Sequence, residues 1–170
     1  MTPGTVVLLH APGATAASWG DLPEMLRSYG LDVVAPDVPD ATGPRYIARV
    51  SLTITATDPV VPLVLVAHGA AGPLLPGLSL AQRAAHRPIA AFVFVDADLP
   101  RRGQHDHAAP EDTLPTAPDW PEAPCGYLRT HSDGTHAEAR REAHLRGWQV
   151  IDHEPPSTVA QSLSELIAEL

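Results

Sequence analysis

Proton transfer at neutral pH needs histidines and carboxylates close together, and this chain sets both at the ends of apolar runs. His10 follows Thr5-Val6-Val7-Leu8-Leu9, His68 follows Leu63-Val64-Leu65-Val66-Ala67, and Asp96 and Asp98 close Phe92-Val93-Phe94-Val95. Further on stand Asp133, in His131-Ser132-Asp133-Gly134, and His153, after Val150-Ile151-Asp152. Histidine changes charge near physiological pH, so positioned histidines and acids are the tools of general acid–base catalysis. The run around His68 is the most specific of these. An apolar strand leads into Ala67-His68-Gly69-Ala70-Ala71-Gly72, which has the spacing of a nucleophile elbow, small-His-Ser-x-small-Gly. In that motif a serine is presented above a sheet at a sharp strand-to-helix turn. The serine position here is Gly69, so the frame is present and the attacking atom is missing.

The elements that must carry these residues alternate along the chain. Residues 5–9 read as a buried strand, and Ser18 as the cap of a helix through Trp19, Leu22, Met25 and Leu26. Residues 31–36 read as a second strand, and 45–57 is either a helix or an irregular cover, since Val50, Leu52, Ile54 and Thr57 are β-prone. After the elbow strand, 71–86 reads as a helix that Pro73 and Pro76 kink or delay. Strands follow at 89–95, 125–129 and 147–152, with helices at 135–146 and 156–170, the last marked by Val159, Leu163, Leu166, Ile167 and Leu170 at helical spacing. Strands alternating with helices imply a mostly parallel sheet with helices on both faces, whose ligands bind at the carboxyl ends of the strands. Residues 101–124, rich in proline, acid and histidine, read as a long surface excursion.

Composition narrows the function classes. A chain of 170 residues suits one domain, 1–170, with a sizeable core. No apolar run is long enough to span a membrane, and the short run from Val6 to Leu9 follows no positive charge, so neither a membrane span nor a leader is expected. The single cysteine, Cys125, allows no internal disulfide and fits a reducing, cytoplasmic setting, where it serves as a buried inert thiol. A formal charge of −9 without a single lysine excludes a nucleic-acid partner, since phosphate contacts need clustered cations. His105 and His107 with Glu111 and Asp112 are read as solvated side chains in an acidic loop, so no metal and no cofactor is expected. A small open sheet leaves its cleft and edges bare, which makes a homodimer a reasonable expectation.

Taken in order, these landmarks resemble the α/β-hydrolase family, in its small cap-less bacterial form. The resemblance rests on Leu8-Leu9-His10-Ala11-Pro12-Gly13 with Trp19, on residues 30–37, on Val66 to Gly72, on Phe94-Val95-Asp96-Ala97 and on Gly147-Trp148 with Pro156 and Val159-Ala160. It implies a reduced α/β-hydrolase fold of about six strands without a cap domain. Family members usually hydrolyse esters with a Ser-His-acid triad and two backbone amides that stabilise the oxyanion. Carried onto this chain, the nucleophile is Gly69, the histidine is His153, and the acid is Asp133 or Asp96. One oxyanion amide maps to Ala70 and the other to Pro12, which has no N–H. A ligand in that cleft would meet His10, Ala11, Pro12, Gly69 and Ala70.

Two functions follow from this degraded hydrolase pattern. In one, the chain is a non-hydrolytic enzyme, of cyclase, lyase or isomerase type, that uses His68, His153 and Asp96 or Asp133 on a small apolar metabolite. In the other it is an inactive pseudo-hydrolase that binds a ligand or a protein. His68 and His10 also suit packing roles at strand ends, and that reading stays open beside the catalytic one.

Overall fold

The computed structural model describes residues 4–101 and 119–170. Six parallel strands form one sheet in the order β2-β1-β3-β4-β5-β6. They are β1 (Thr5–Leu9), β2 (Asp32–Val34), β3 (Leu63–Gly69), β4 (Ile89–Ala97), β5 (Cys125–Arg129) and β6 (Gln149–Asp152). The central strands β1, β3 and β4 are largely apolar along their length because both of their faces are covered.

Five helices supply that cover. On one face α2 (Gly43–Thr57), α3 (Leu75–Ala84) and α4 (Ala137–Leu145) pack around Leu65, Phe92 and Phe94. On the other α1 (Leu22–Ser28) and α5 (Val159–Glu169) pack over Val64, Val66 and Val93. The ambiguous stretch 45–57 is helical. Its buried residues Tyr46, Ile47, Val50 and Ile54 fall on one helical face, and that burial outweighs the weak helix propensity of its β-branched residues. The 71–86 helix starts late, as its prolines require: a 3-10 turn at Gly72–Leu74 precedes α3, with Pro76 in the first turn of that helix.

Three expectations are corrected. Ser18 is not a helix cap: it lies in a separate 3-10 turn (Ala16–Trp19), where its hydroxyl donates to the Thr15 carbonyl, and α1 begins three residues after that turn. The last helix begins at Val159, capped by Thr158, whose hydroxyl accepts from the Gln161 N–H at 3.1 Å. The strand expected at 89–95 runs two residues further, through Asp96 and Ala97, and this extension matters for the site.

Strand order reverses between β1 and β3. The loop leaving β1 goes to the α1 face and the loop leaving β3 to the α3 face, so a crevice opens between them at the carboxyl ends of the strands. No helix among the described residues is long and apolar enough to cross a membrane.

Candidate functional site

At the end of β3 the chain turns sharply through Gly69, whose φ is +58°. The Ala71 N–H donates to the His68 carbonyl at 3.1 Å, and the Asp98 N–H donates to the Gly69 carbonyl at 3.0 Å. Backbone crowding explains the small residues. A methyl group placed on Gly72 would lie 1.8 Å from the Asp98 carbonyl oxygen, so no other residue fits there. A methyl on Gly69 would lie 3.2 Å from the Ala11 Cβ, in a left-handed conformation that costs other residues about 1–2 kcal/mol. The local backbone is therefore an elbow, and it presents no side chain. Ala11, at the end of β1, stands against that elbow, with Pro12 next in the chain.

His10 shapes the same loop from below. Its ring is fully buried; Nδ1 donates to the Ala11 carbonyl at 2.8 Å and Nε2 accepts from the Val38 N–H at 3.0 Å, which fixes a neutral ring. The Tyr46 hydroxyl donates to the His10 carbonyl at 2.6 Å. Both ring nitrogens being engaged, His10 positions the β1 loop and offers the cleft no ring atom.

Asp96 is the pivot of the next two strands. His68 pairs with Val95 and Gly69 with Ala97, so Asp96 is the extra residue of a bulge in β4, with φ at +44°. A bulge re-aims a side chain, and aspartate tolerates the left-handed conformation better than most residues. Its carboxylate, 6 % exposed, points across to the end of β5. There Oδ1 accepts from the Thr130 N–H at 2.8 Å, and Oδ2 is bonded by the Thr130 hydroxyl and lies 3.2 Å from His131 Nδ1. The His131 ring is 69 % exposed. A buried carboxylate thus anchors an accessible imidazole through Nδ1.

His68 completes the cluster from β3. Its half-buried ring meets Trp19 edge to face, with centroids 5.6 Å apart. Burial lowers its pKa below the usual 6.5; the Asp96 charge opposes this, and His136 and His131 reinforce it. A neutral His68 is a proton acceptor at pH 7. His136, with φ at +59° just before α4, and His131 are both residues that motif reading missed. Thr130 and His131 directly follow β5, and a strand-end position of that kind is the signal that could have found them.

Two other candidates take different hydrogen-bond partners. Asp133 is fully exposed in the turn after His131, where it accepts from the Thr135 N–H at 2.9 Å, and that bonding to Thr135 lowers its pKa. His153 extends the β6 pairing through its N–H to the Arg129 carbonyl, 2.8 Å away, and its Nδ1 lies 3.0 Å from the Ser162 hydroxyl of α5. Among the described residues no three His, Cys, Asp or Glu side chains gather to hold a metal ion; His105, His107, Glu111 and Asp112 lie outside the described residues. An open groove of about 370 Å³ at the opposite, amino-terminal ends of β5 and β6 holds Cys125, whose thiol is pushed up to about 12 by burial. That thiol is not a nucleophile at neutral pH.

Solved structures share this fold over the whole chain. An extracellular alpha/beta-hydrolase from a Paenibacillus species superposes with a TM-score of 0.68 at 17% identity, over 98% of each chain. The fold is that of the α/β-hydrolases. A tomato Methylketone Synthase I variant complexed with beta-ketoheptanoate gives 0.71 at 12% identity over 99% of each chain. A polyneuridine aldehyde esterase mutant gives 0.70 at 14% identity, again over 99% of each chain. No protein-family model matches the chain, and no curated protein matches its sequence. The α/β-hydrolase fold thus stands here on architecture, with Gly69 at the turn after the elbow strand.

Proposed function

We propose that this protein is a non-hydrolytic enzyme that moves a proton on a small apolar metabolite. The observation that carries the reading is the pairing of an elbow without a nucleophile and an exposed histidine held by a buried carboxylate at the neighbouring strand ends. Covalent acyl transfer needs an attacking oxygen or sulfur and two oxyanion donors; Gly69 supplies no atom and Pro12 no N–H. Enolisation, elimination and decarboxylation need only a shaped cleft and a proton donor or acceptor. Neighbours in the same fold include an esterase and a synthase that holds beta-ketoheptanoate, an acid with a short apolar tail, so the fold accommodates both kinds of chemistry.

The test sets ester chemistry beside proton abstraction. With p-nitrophenyl acetate and a fluorophosphonate probe, the natural protein is expected to show background hydrolysis and no label. Gly69→Ser is expected to stay at background too, because its Cβ crowds Ala11 and one oxyanion donor is still missing. With 5-nitrobenzisoxazole, whose ring opens when a base removes one C–H proton, turnover above buffer is expected. A covalent adduct on the natural protein would overturn the reading. Saturable binding of small apolar ligands with no turnover would favour the inactive pseudo-hydrolase instead.

A further inference from the structure

We infer that the proton-transfer group of this site is His131, with Asp96 as its positioning residue, and that His153 takes no part. The inference rests on the non-hydrolytic reading above. The family pattern places the histidine after the last strand, at His153, and this chain moves the acid–histidine pair inward to the ends of β4 and β5.

Three features separate His131 from the other described histidines. Its Nδ1 lies within reach of two oxygens, Asp96 Oδ2 at 3.2 Å and the Thr130 hydroxyl at 2.9 Å, so the proton of the neutral ring sits on Nδ1 and the lone pair on Nε2. Its ring is open to solvent, whereas His10 is enclosed with both nitrogens used. It also stands in the electrostatic neighbourhood of His68, at the end of β5, two strands along from the elbow strand β3. The charged and titratable groups facing it are Asp96 from β4, His68 from β3, and Asp133 in its own turn; His136, ahead of α4, bears on His68 beside it. His153 has no carboxylate on its ring. Its Nδ1 is met by Ser162, and the adjacent Asp152 carboxylate is taken by Arg140 and Arg129.

Asp96 does two things at once. Its bonds to the Thr130 N–H and hydroxyl join the ends of β4 and β5, and strand joining needs nothing more. The contact to His131 is additional, and it fixes the ring so that Nε2 faces outward.

5-Nitrobenzisoxazole tests this without knowledge of the natural substrate. Its C3 proton passes to His131 Nε2, the C–H electron pair forms the nitrile, and the N–O bond breaks to leave a coloured cyanophenolate; the imidazolium then returns its proton to water. kcat/KM would be measured for the natural protein, His131→Ala, Asp96→Asn and His153→Ala, with nitrogen-15 spectra of the histidine rings recorded in parallel. Losing a positioned base removes about two to four decades of rate, so His131→Ala is expected to fall at least about tenfold and to recover in part with added imidazole. His153→Ala is expected to stay within about twofold of the natural protein, far inside that range. In Asp96→Asn the His131 ring is expected to move from the Nδ1–H form towards the Nε2–H form, with kcat falling and KM holding. Unchanged turnover in His131→Ala, a loss confined to His153→Ala, or an Nε2–H ring in the natural protein would each overturn the inference while leaving non-hydrolytic chemistry standing. Absence of turnover by the natural protein would remove both.

Discussion

Two strand ends in this molecule carry an aspartate and a histidine, and they use them in opposite ways. At the end of β6, Asp152 receives Arg140 at 2.8 Å and 2.6 Å and Arg129 at 3.1 Å, while the neighbouring His153 is joined to Ser162. These contacts tie one element to another: α4 to β6, β5 to β6, β6 to α5. At the ends of β4 and β5 the carboxylate is buried and the histidine is not, so Asp96 is spent inward and His131 remains available outward. Both places set an aspartate at the end of a strand and a histidine just past one, on a single strand at β6 and on neighbouring strands at β4 and β5. What differs is whether the acid has a cation to neutralise it, because a carboxylate bonded by two arginines has no charge left to orient an imidazole.

The largest effect that would sharpen this contrast is structural. Asp96→Ala is expected to cost about 3 kcal/mol, combining lost bonds to a charged group with alanine in a left-handed conformation. Asp96→Asn, which tolerates that conformation and can still accept from Thr130, is expected to unfold close to the natural protein. Urea unfolding with an unchanged slope checks both. If Asp96→Ala is no more harmful than the equivalent change at β6, the two strand ends are energetically alike and the contrast fails.

At β6 the expected loss is smaller. Asp152→Ala removes a partly exposed ion pair and should cost about 1 kcal/mol. The hydrogen bonds from Arg140 hold the Asp152 carboxyl below its usual 3.8. A carboxylate with a depressed folded pKa contributes stability that is present above 3.8 and lost as pH falls through the lowered value. The gap between natural protein and variant should therefore close in acid, and turnover of 5-nitrobenzisoxazole should not change. A drop in turnover would mean that the β6 end also serves the chemistry.

Much of this could be read before folding was considered, and the reasons for the rest are physical. The elbow was legible because Gly69 and Gly72 are constrained by a left-handed turn and by backbone crowding, and such constraints leave a mark in residue type. Asp96 was legible as a strand-end acid. Its bulge was not, because β4 is buried on both faces and an unbroken apolar run carries no alternation to reveal an extra residue. His131 shares its turn with Asp133 and carries no mark of its own in the sequence, because only the lateral order of the strands shows that β5 ends beside β4. His153 had the right place in the chain order and the wrong company, since Ser162 lies nine residues further on and the Asp152 partners come from α4 and β5. Pairings across elements of that kind leave no local pattern.

The smallest expected effect concerns His68, which sits next to the elbow and belongs to neither strand end. Burial lowers its pKa below 6.5, and the opposing pull of Asp96 does not cancel that. In the unfolded chain the imidazole takes up a proton near 6.5, while in the folded protein it resists until the pH is lower. Between those values the unfolded state holds more protons, so folding stability declines as pH falls below 6.5 and gains nothing from this group above it. His68→Gln should make the stability of the variant less steeply dependent on pH in that interval than that of the natural protein, with the two curves parallel at higher pH. Unfolding followed at a series of pH values reads this directly. Removing the Asp96 charge should act in the other direction on the same group: in Asp96→Asn the His68 pKa drops further, and the decline below 6.5 becomes steeper. Were Asp96→Asn to leave the His68 titration where it was, the carboxylate would be screened from β3, and the cluster would reduce to the Asp96 and His131 pair alone.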